Sequence, residues 1–211
     1  MKIIPTIFSK NKKEFEERYK KLSKITKELQ IDIMDGKFVK TKSIQPKDLP
    51  NFIHTGKTIE AHLMTKNPEK YLKILDSKFV GRIIFHYETI KNTKKIKEFI
   101  KEIHKKGMHA ILAINPETKT TQIKEIIPEI NKMLIMGVKP GKEKQKLLKN
   151  TYTKIKEIKK LNQKIQIQID GGVNKQTAKK LRSAGAEILN TGSYISNAKD
   201  PKKTLEELKN I

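Results

Sequence analysis

Eight short apolar runs recur along the chain, at residues 3–8, 29–34, 59–64, 83–87, 109–114, 133–138, 165–169 and 187–191. They begin roughly every 25 residues, the length of one strand, one helix and two loops, so the spacing predicts repeated βα units. Lysine-rich amphipathic stretches lie between them. Ile96, Phe99, Ile100 and Ile103 fall at i, i+3, i+4 and i+7, one face of a helix, and Leu147, Leu148, Tyr152, Ile155 and Ile158 form a second such set. Pro68 is expected to open a short helix through Leu75, and a helix over 177–184 should stop at Gly185. Eight such units in 211 residues fit either a closed parallel barrel or an open doubly wound sheet.

Alternation within the runs separates the two. Leu29, Ile31 and Ile33 point one way while Gln30, Asp32 and Met34 point the other. His62 shares a face with Glu60 and Met64, and Ile165, Ile167 and Ile169 oppose Gln166, Gln168 and then Asp170. Central strands of an open parallel sheet are buried on both faces and read as nearly continuous apolar runs. A polar set on one face suits a barrel, whose outer face packs on helices while the lumen near its mouth can hold polar chemistry. The expected fold is therefore an α/β (β/α)8 TIM barrel. No linker or low-complexity tract interrupts residues 1–211, so a single domain is expected.

Charge is the anomaly: 47 basic residues against 23 acidic ones give a net charge of +24. Such a balance raises nucleic-acid binding as a function class. Yet only Arg18, Arg82 and Arg182 are arginines, and the lysines sit in almost every expected helix instead of one stripe. Base readout favours the planar guanidinium fork, and base stacking favours aromatic residues, of which there are few and no Trp. A solvated lysine-rich exterior is the expectation, with no dedicated nucleic-acid partner. Absence of Cys excludes disulfides and thiolate metal sites. The opening residues are too short and interrupted for a signal peptide, and no apolar run approaches the roughly 20 residues of a membrane span. A cytoplasmic protein with no membrane partner is expected.

Active sites of such barrels lie at the carboxyl ends of the strands. Asp32 falls late in the second run, His62 late in the third, His86 and Glu88 at the end of the fourth, and Asp170 just past the seventh. Two carboxylates facing a substrate from opposite sides are what epimerisation beside a carbonyl requires: one removes a proton, the other returns one to the opposite face. A nearby cation would stabilise the intervening ene-diolate. The stretch from Gly137 to Lys142 is one residue short of P-loop spacing and lacks the Ser/Thr after Lys, so a nucleotide loop is rejected.

The stretch Gln30-Ile31-Asp32-Ile33-Met34-Asp35-Gly36-Lys37-Phe38-Val39 resembles the second-strand motif of ribulose-phosphate 3-epimerases. So do Glu60-Ala61-His62-Leu63-Met64 with Pro68-Glu69-Lys70-Tyr71, Phe85-His86-Tyr87-Glu88, Met136-Gly137-Val138-Lys139-Pro140-Gly141 with Gln145, Ile169-Asp170-Gly171-Gly172-Val173, and Gly192-Ser193. The motifs run in family order over the whole chain. The resemblance implies a ribulose-phosphate 3-epimerase interconverting D-ribulose 5-phosphate and D-xylulose 5-phosphate, with Asp32 and Asp170 as the acid/base pair. It also implies a divalent metal held by Asp32, His62 and Asp170; imidazole with carboxylates suits zinc, iron, manganese or cobalt alike. Met34, Met64 and Met136 would form an apolar wall over the substrate, and Thr6 would keep the hydroxyl of the family's usual Ser. Backbone N–H groups at Gly141, Gly171, Gly172, Gly192 and Ser193 would approach the phosphate. Such enzymes often form symmetric oligomers, so a homo-oligomer is a further expectation.

Four positions depart from the family pattern. Gln30 stands where the family has a metal-binding His, and an amide oxygen is a weaker ligand. Lys142-Glu143-Lys144 replaces a glycine-rich loop, Lys40-Thr41 replaces the usual Pro-Asn, and Glu60 replaces an Asp two residues before His62. Two alternatives follow: another phosphosugar epimerase on the same barrel, or a catalytically impaired barrel acting as a binding protein.

Overall fold

The computed structural model describes residues 1–211. Eight parallel strands hydrogen-bond in chain order and close into a barrel, with helices between them. They are β1 (Lys2–Ile7), β2 (Glu28–Met34), β3 (Thr58–Met64), β4 (Arg82–His86), β5 (His109–Ile114), β6 (Lys132–Met136), β7 (Gln166–Asp170) and β8 (Ile188–Thr191). Every expected strand is present to within two residues at either end. The chain divides into two compact units, Pro5–Ile111 and, together with Met1–Ile4, Leu112–Ile211.

Within the first unit β2 and β3 pair over seven residues, from Glu28↔Thr58 to Met34↔Met64, and β4 continues the register with His62 opposite Ile84. All residues of β2 and β3 beyond the first are buried, Gln30, Asp32, Glu60 and His62 included. The polar face of these strands is thus an interior face, as the alternation implied. Helix α1 (Lys12–Leu22) starts where the Asn11 side chain accepts a hydrogen bond from the Glu14 N–H at 3.0 Å, filling one of the donors a first turn leaves open. The apolar set at 96–103 belongs to α4 (Thr93–Lys105), with Ile96, Phe99 and Ile103 buried and Ile100 half-buried. Phe99 meets Phe85 of β4 edge-to-face, 4.8 Å between centroids. Pro68 opens a 3-10 turn that leads into α2 (Leu72–Ser77), and α3 (Tyr87–Ile90) is a single turn directly after β4.

In the second unit β6 and β7 pair from Lys132↔Gln166 to Met136↔Asp170, and β8 adds Asp170↔Asn190. Helices α5 (Asn150–Leu161), α6 (Lys175–Ala184), α7 (Ser193–Ser196) and α8 (Pro201–Lys209) complete it. Gly185 ends α6 in the left-handed region, φ 110°. Lys154 of α5 is buried, its Nζ donating to the carbonyls of Asn115, Pro116 and Thr118 at 2.5–3.1 Å, which ties the helix to the loop after β5.

Four expectations need correcting. Two crossovers carry no α-helix: residues 35–57 form only the 3-10 turn Pro46–Asp48, and residues 115–131 only Thr120–Gln122 and Ile127–Glu129. Prolines at 46, 50, 116 and 128 interrupt both stretches, removing N–H donors and restricting the residue before each. Leu147 and Leu148 lie before α5 in the loop after β6, not on its buried face. Finally, Asp170 is the last residue of β7 and Glu88 belongs to α3, not to a strand. No helix is long and apolar enough to cross a membrane.

Candidate active site

Parallel register brings the polar residues of β2 and β3 side by side. Asp32 pairs with His62, and the His62 Nδ1 stands 3.2 Å from the Asp32 Oδ1. The Gln30 side-chain nitrogen donates to the same Asp32 oxygen at 3.0 Å, and lies 3.4 Å from both the Thr6 Oγ1 and the His62 Nδ1. Gln30 therefore turns an N–H donor, not a lone pair, toward the expected ligands. The opposite ring nitrogen of His62 meets the His86 Nε2 at 2.9 Å, and the two rings stack with 5.1 Å between centroids. His86 in turn places Nδ1 3.3 Å from the Glu88 Oε2. Both imidazoles are fully buried.

Just beyond, Met34 and Met64 pair across β2 and β3 and bury themselves with Val39 against Phe8 and Phe38. Phe38 also covers the His86 ring at 4.8 Å. The loop that carries Phe38 and Val39 is held by Asp35. Its Oδ1 accepts from the N–H groups of Lys37 and Phe38 at 2.8 and 2.9 Å, and its Oδ2 from Lys66 N–H at 2.8 Å. Burial pushes the Asp35 carboxyl up, but these backbone donors together outweigh it and hold the group below its ordinary value. Ser43 pins the returning chain by accepting from Met34 N–H and donating to the Asp32 carbonyl. The altered pair Lys40-Thr41 sits within this loop. Glu60, the other departure on these strands, accepts from Arg82 at 3.2 Å, alongside Glu28.

On the second unit Asp170 pairs with Met136, both buried. Gly171 and Gly172 follow with φ of 92° and 71°, the left-handed region that glycine enters without strain. The loop after β6 lies directly on them. A Cβ on Gly172 would come within 2.6 Å of the Leu147 backbone, and one on Gly171 would run into Val138. These glycines are required by close loop packing as well as by any anion. Gly141 is buried at φ 101°, and the Gln145 side chain donates to the carbonyls of Lys139 and Lys142, clipping that loop. Where the family's glycines are replaced, Lys144 nonetheless adopts φ 60°. Gly192 caps α7 and Ser193 opens it.

Asp32, His62 and Asp170 each offer a ligand atom, and these atoms lie within 4.8 Å of one another, all three residues buried. Two ligands of one ion with bonds near 2.1 Å lie about 3–4 Å apart, so the donor set fits a divalent cation after a small contraction. Imidazole nitrogen and carboxylate oxygen are also the right chemistry. The sequence singled out this trio. It assigned no role to His86, Glu88 or Asp35, although the motifs contain all three. Buried strand-end hydroxyls without a hydrogen-bond partner were also overlooked: Ser9 after β1, Thr65 after β3 and Thr191 at the end of β8.

Residues 2–196 match the model of the ribulose-phosphate 3 epimerase family. The Ribulose-phosphate 3-epimerase of Bacillus subtilis (strain 168) is 30% identical over 195 residues, covering 86% of this chain and 85% of that protein. The one from Helicobacter pylori (strain ATCC 700392 / 26695) is 29% identical over 218 residues, covering 100% and 98%. That of Chlamydia pneumoniae is 35% identical over 177 residues, covering 81% and 76%. Among solved structures, a 3-hexulose-6-phosphate synthase superposes with a TM-score of 0.72 at 18% identity, over 100% of this chain and 99% of the other. At that identity the likeness concerns the fold. Closed barrel, strand-end cluster and relatives define an enzyme of the isomerase class built on a (β/α)8 barrel. The chain belongs to the ribulose-phosphate 3-epimerase family.

Proposed function

We propose that the protein interconverts D-ribulose 5-phosphate and D-xylulose 5-phosphate, acting as one domain, with Asp32 and Asp170 as a two-base pair at C3. The observation that carries this reading is the buried Asp32, His62 and Asp170 cluster at the ends of β2, β3 and β7. In one direction an ionised carboxylate takes the C3 proton, leaving an ene-diolate across C2 and C3, and the protonated partner delivers its proton to the opposite face of C3. The two carboxyls then hold exchanged protonation states, and the reverse direction uses them in exchanged order. Asp32, His62 and Asp170 would also hold the divalent metal, which would supply positive charge against the ene-diolate. Gln30 donates to the Asp32 Oδ1 and so fixes the orientation of that carboxyl. Met34, Met64 and Met136 exclude water from the reacting carbon, where a low dielectric strengthens each polar contact. Thr6 would hydrogen-bond the sugar, and the backbone around Gly141, Gly171, Gly172, Gly192 and Ser193 would receive the phosphate.

A coupled assay for xylulose 5-phosphate, run before and after chelation with metal analysis of the same sample, tests the proposal. Activity should fall on chelation and return with one of zinc, iron, manganese or cobalt. Asp32→Asn and Asp170→Asn should each lower kcat by at least about 10³-fold while unfolding near the wild-type temperature, since an amide neither takes nor gives the proton. Near-normal turnover in either variant would refute the two-base assignment.

A further inference from the structure

Four side chains in the first unit form a continuous line: Asp32, His62, His86 and Glu88, with separations of 3.2, 2.9 and 3.3 Å. A neutral imidazole has one N–H and one lone pair, so a contact between two ring nitrogens requires that one donate and the other accept. The orientation along the line is set at its outer end. Glu88 is a carboxylate and accepts, so His86 Nδ1 carries the hydrogen and His86 Nε2 keeps its lone pair. His62 must then donate through Nε2, which leaves the His62 Nδ1 lone pair pointing at the Asp32 side. The Gln30 N–H, 3.4 Å from that nitrogen, agrees with an acceptor there. Two acceptors 3.2 Å apart, His62 Nδ1 and Asp32 Oδ1, repel unless a proton or a metal cation lies between them, and the separation suits two ligands of one ion.

We propose that His86 and Glu88 are positioning residues that fix His62 as the tautomer with its hydrogen on Nε2, presenting Nδ1 as a ligand beside Asp32. The metal role rests on the function proposed above; the tautomer does not. Several features point past ordinary burial of a satisfied histidine. His62 and His86 rise from adjacent strands on the same face, two residues apart in register, and their rings stack within 13° of parallel. Glu88 is held on the single turn α3, where Thr89 donates to the His86 carbonyl at 2.7 Å and Lys91 closes the turn at φ 55°. Phe38 packs against the His86 ring, 4.8 Å between centroids and tilted by 50°. Outer-shell partners of this sort typically change metal affinity by about 10–100-fold when removed.

The test is 15N NMR of the histidine side chains in the metal-free full chain, with Co²⁺ titration of the same samples as a separate arm. Wild type should show His62 with a protonated Nε2 and an unprotonated Nδ1, and His86 with the hydrogen on Nδ1. In Glu88→Leu the acceptor is gone, so both rings should lose that preference and the Co²⁺ dissociation constant should rise at least about tenfold. Glu88→Gln, whose side-chain oxygen still accepts, should restore both. Circular dichroism spectra and melting temperatures near wild type keep a folding defect from imitating the result. A wild-type His62 carrying its hydrogen on Nδ1, or tautomers unchanged in Glu88→Leu, would overturn the proposal. Wild-type protein that binds no Co²⁺ yet shows the expected tautomers would sink the metal reading while leaving the relay standing.

Discussion

Asp35 shows how one short side chain can organise a loop. Its three backbone acceptor contacts join the chain after β2 to Lys66 after β3, so the loop bearing Phe38 and Val39 depends on a carboxylate that is ionised. Because its folded value lies below the ordinary one, the stabilisation is fully present above about pH 4 and is lost as pH falls through the folded value. Asp35→Asn should therefore cost about 1 kcal/mol at pH 7, roughly 2–4 °C in Tm, and the gap from wild type should close in acid. Tyr71 offers a second readout: burial raises its hydroxyl and the Asp35 charge raises it further, so the Asn variant should titrate Tyr71 at lower pH. An unchanged tyrosine titration together with a pH-independent gap would show that Asp35 does not act through its charge. At this scale the sequence exposed identities but not directions. Alternation placed Gln30, Asp32 and His62 on one face, yet it could not reveal that Gln30 turns its N–H to Asp32. Nor could it show that His62 spends its second nitrogen on His86, a contact between strands set by register.

At the scale of elements, the second unit's loops are shaped by each other. Gly137, Gly171 and Gly172 pack under Val138 and Leu147, so the chain after β6 and the chain after β7 share one surface. Gly172→Ala would set a Cβ against the Leu147 backbone and force a left-handed φ on a residue that resists it. It should destabilise by at least about 2 kcal/mol and raise KM for the proposed pentulose phosphate more than it lowers kcat, because the proposed proton-transfer groups Asp32 and Asp170 stand on strands. A fully stable Gly172→Ala with wild-type KM would show that the two loops move independently. The sequence identified Gly171 and Gly172 but linked them to phosphate alone; the packing reason depends on Leu147, which periodicity had assigned to a helix. Its i, i+1, i+5 spacing relative to Tyr152 imitates a helical face although the residues precede α5. The helix-free crossovers were more legible than they were credited with being, since Pro46, Pro50, Pro116 and Pro128 stand in the open.

The whole molecule carries a net charge of +24, almost all of the positive part on lysine. Strand spacing disclosed the barrel without help from that charge, and no element of the fold is explained by it. For function its consequence is long-ranged. The proposed substrate, a pentulose 5-phosphate, is a dianion near neutral pH, and a strongly positive protein would draw it in before any contact is made. That attraction reaches as far as the ionic atmosphere allows, about 30 Å at 0.01 M salt and about 10 Å at 0.1 M. Between 0.01 and 0.3 M potassium chloride, kcat/KM for the phosphorylated ketose should fall at least about threefold. Turnover at saturation should stay constant, because the proposed proton-transfer groups, Asp32 and Asp170, are buried. Duplex DNA should compete at the lower salt and cease to do so near 0.15 M, as expected of diffuse lysine charge without base contacts. A kcat/KM indifferent to salt would mean that the lysines are too evenly spread to guide the substrate. Competition by DNA persisting at 0.3 M would mean instead that they form a nucleic-acid surface after all.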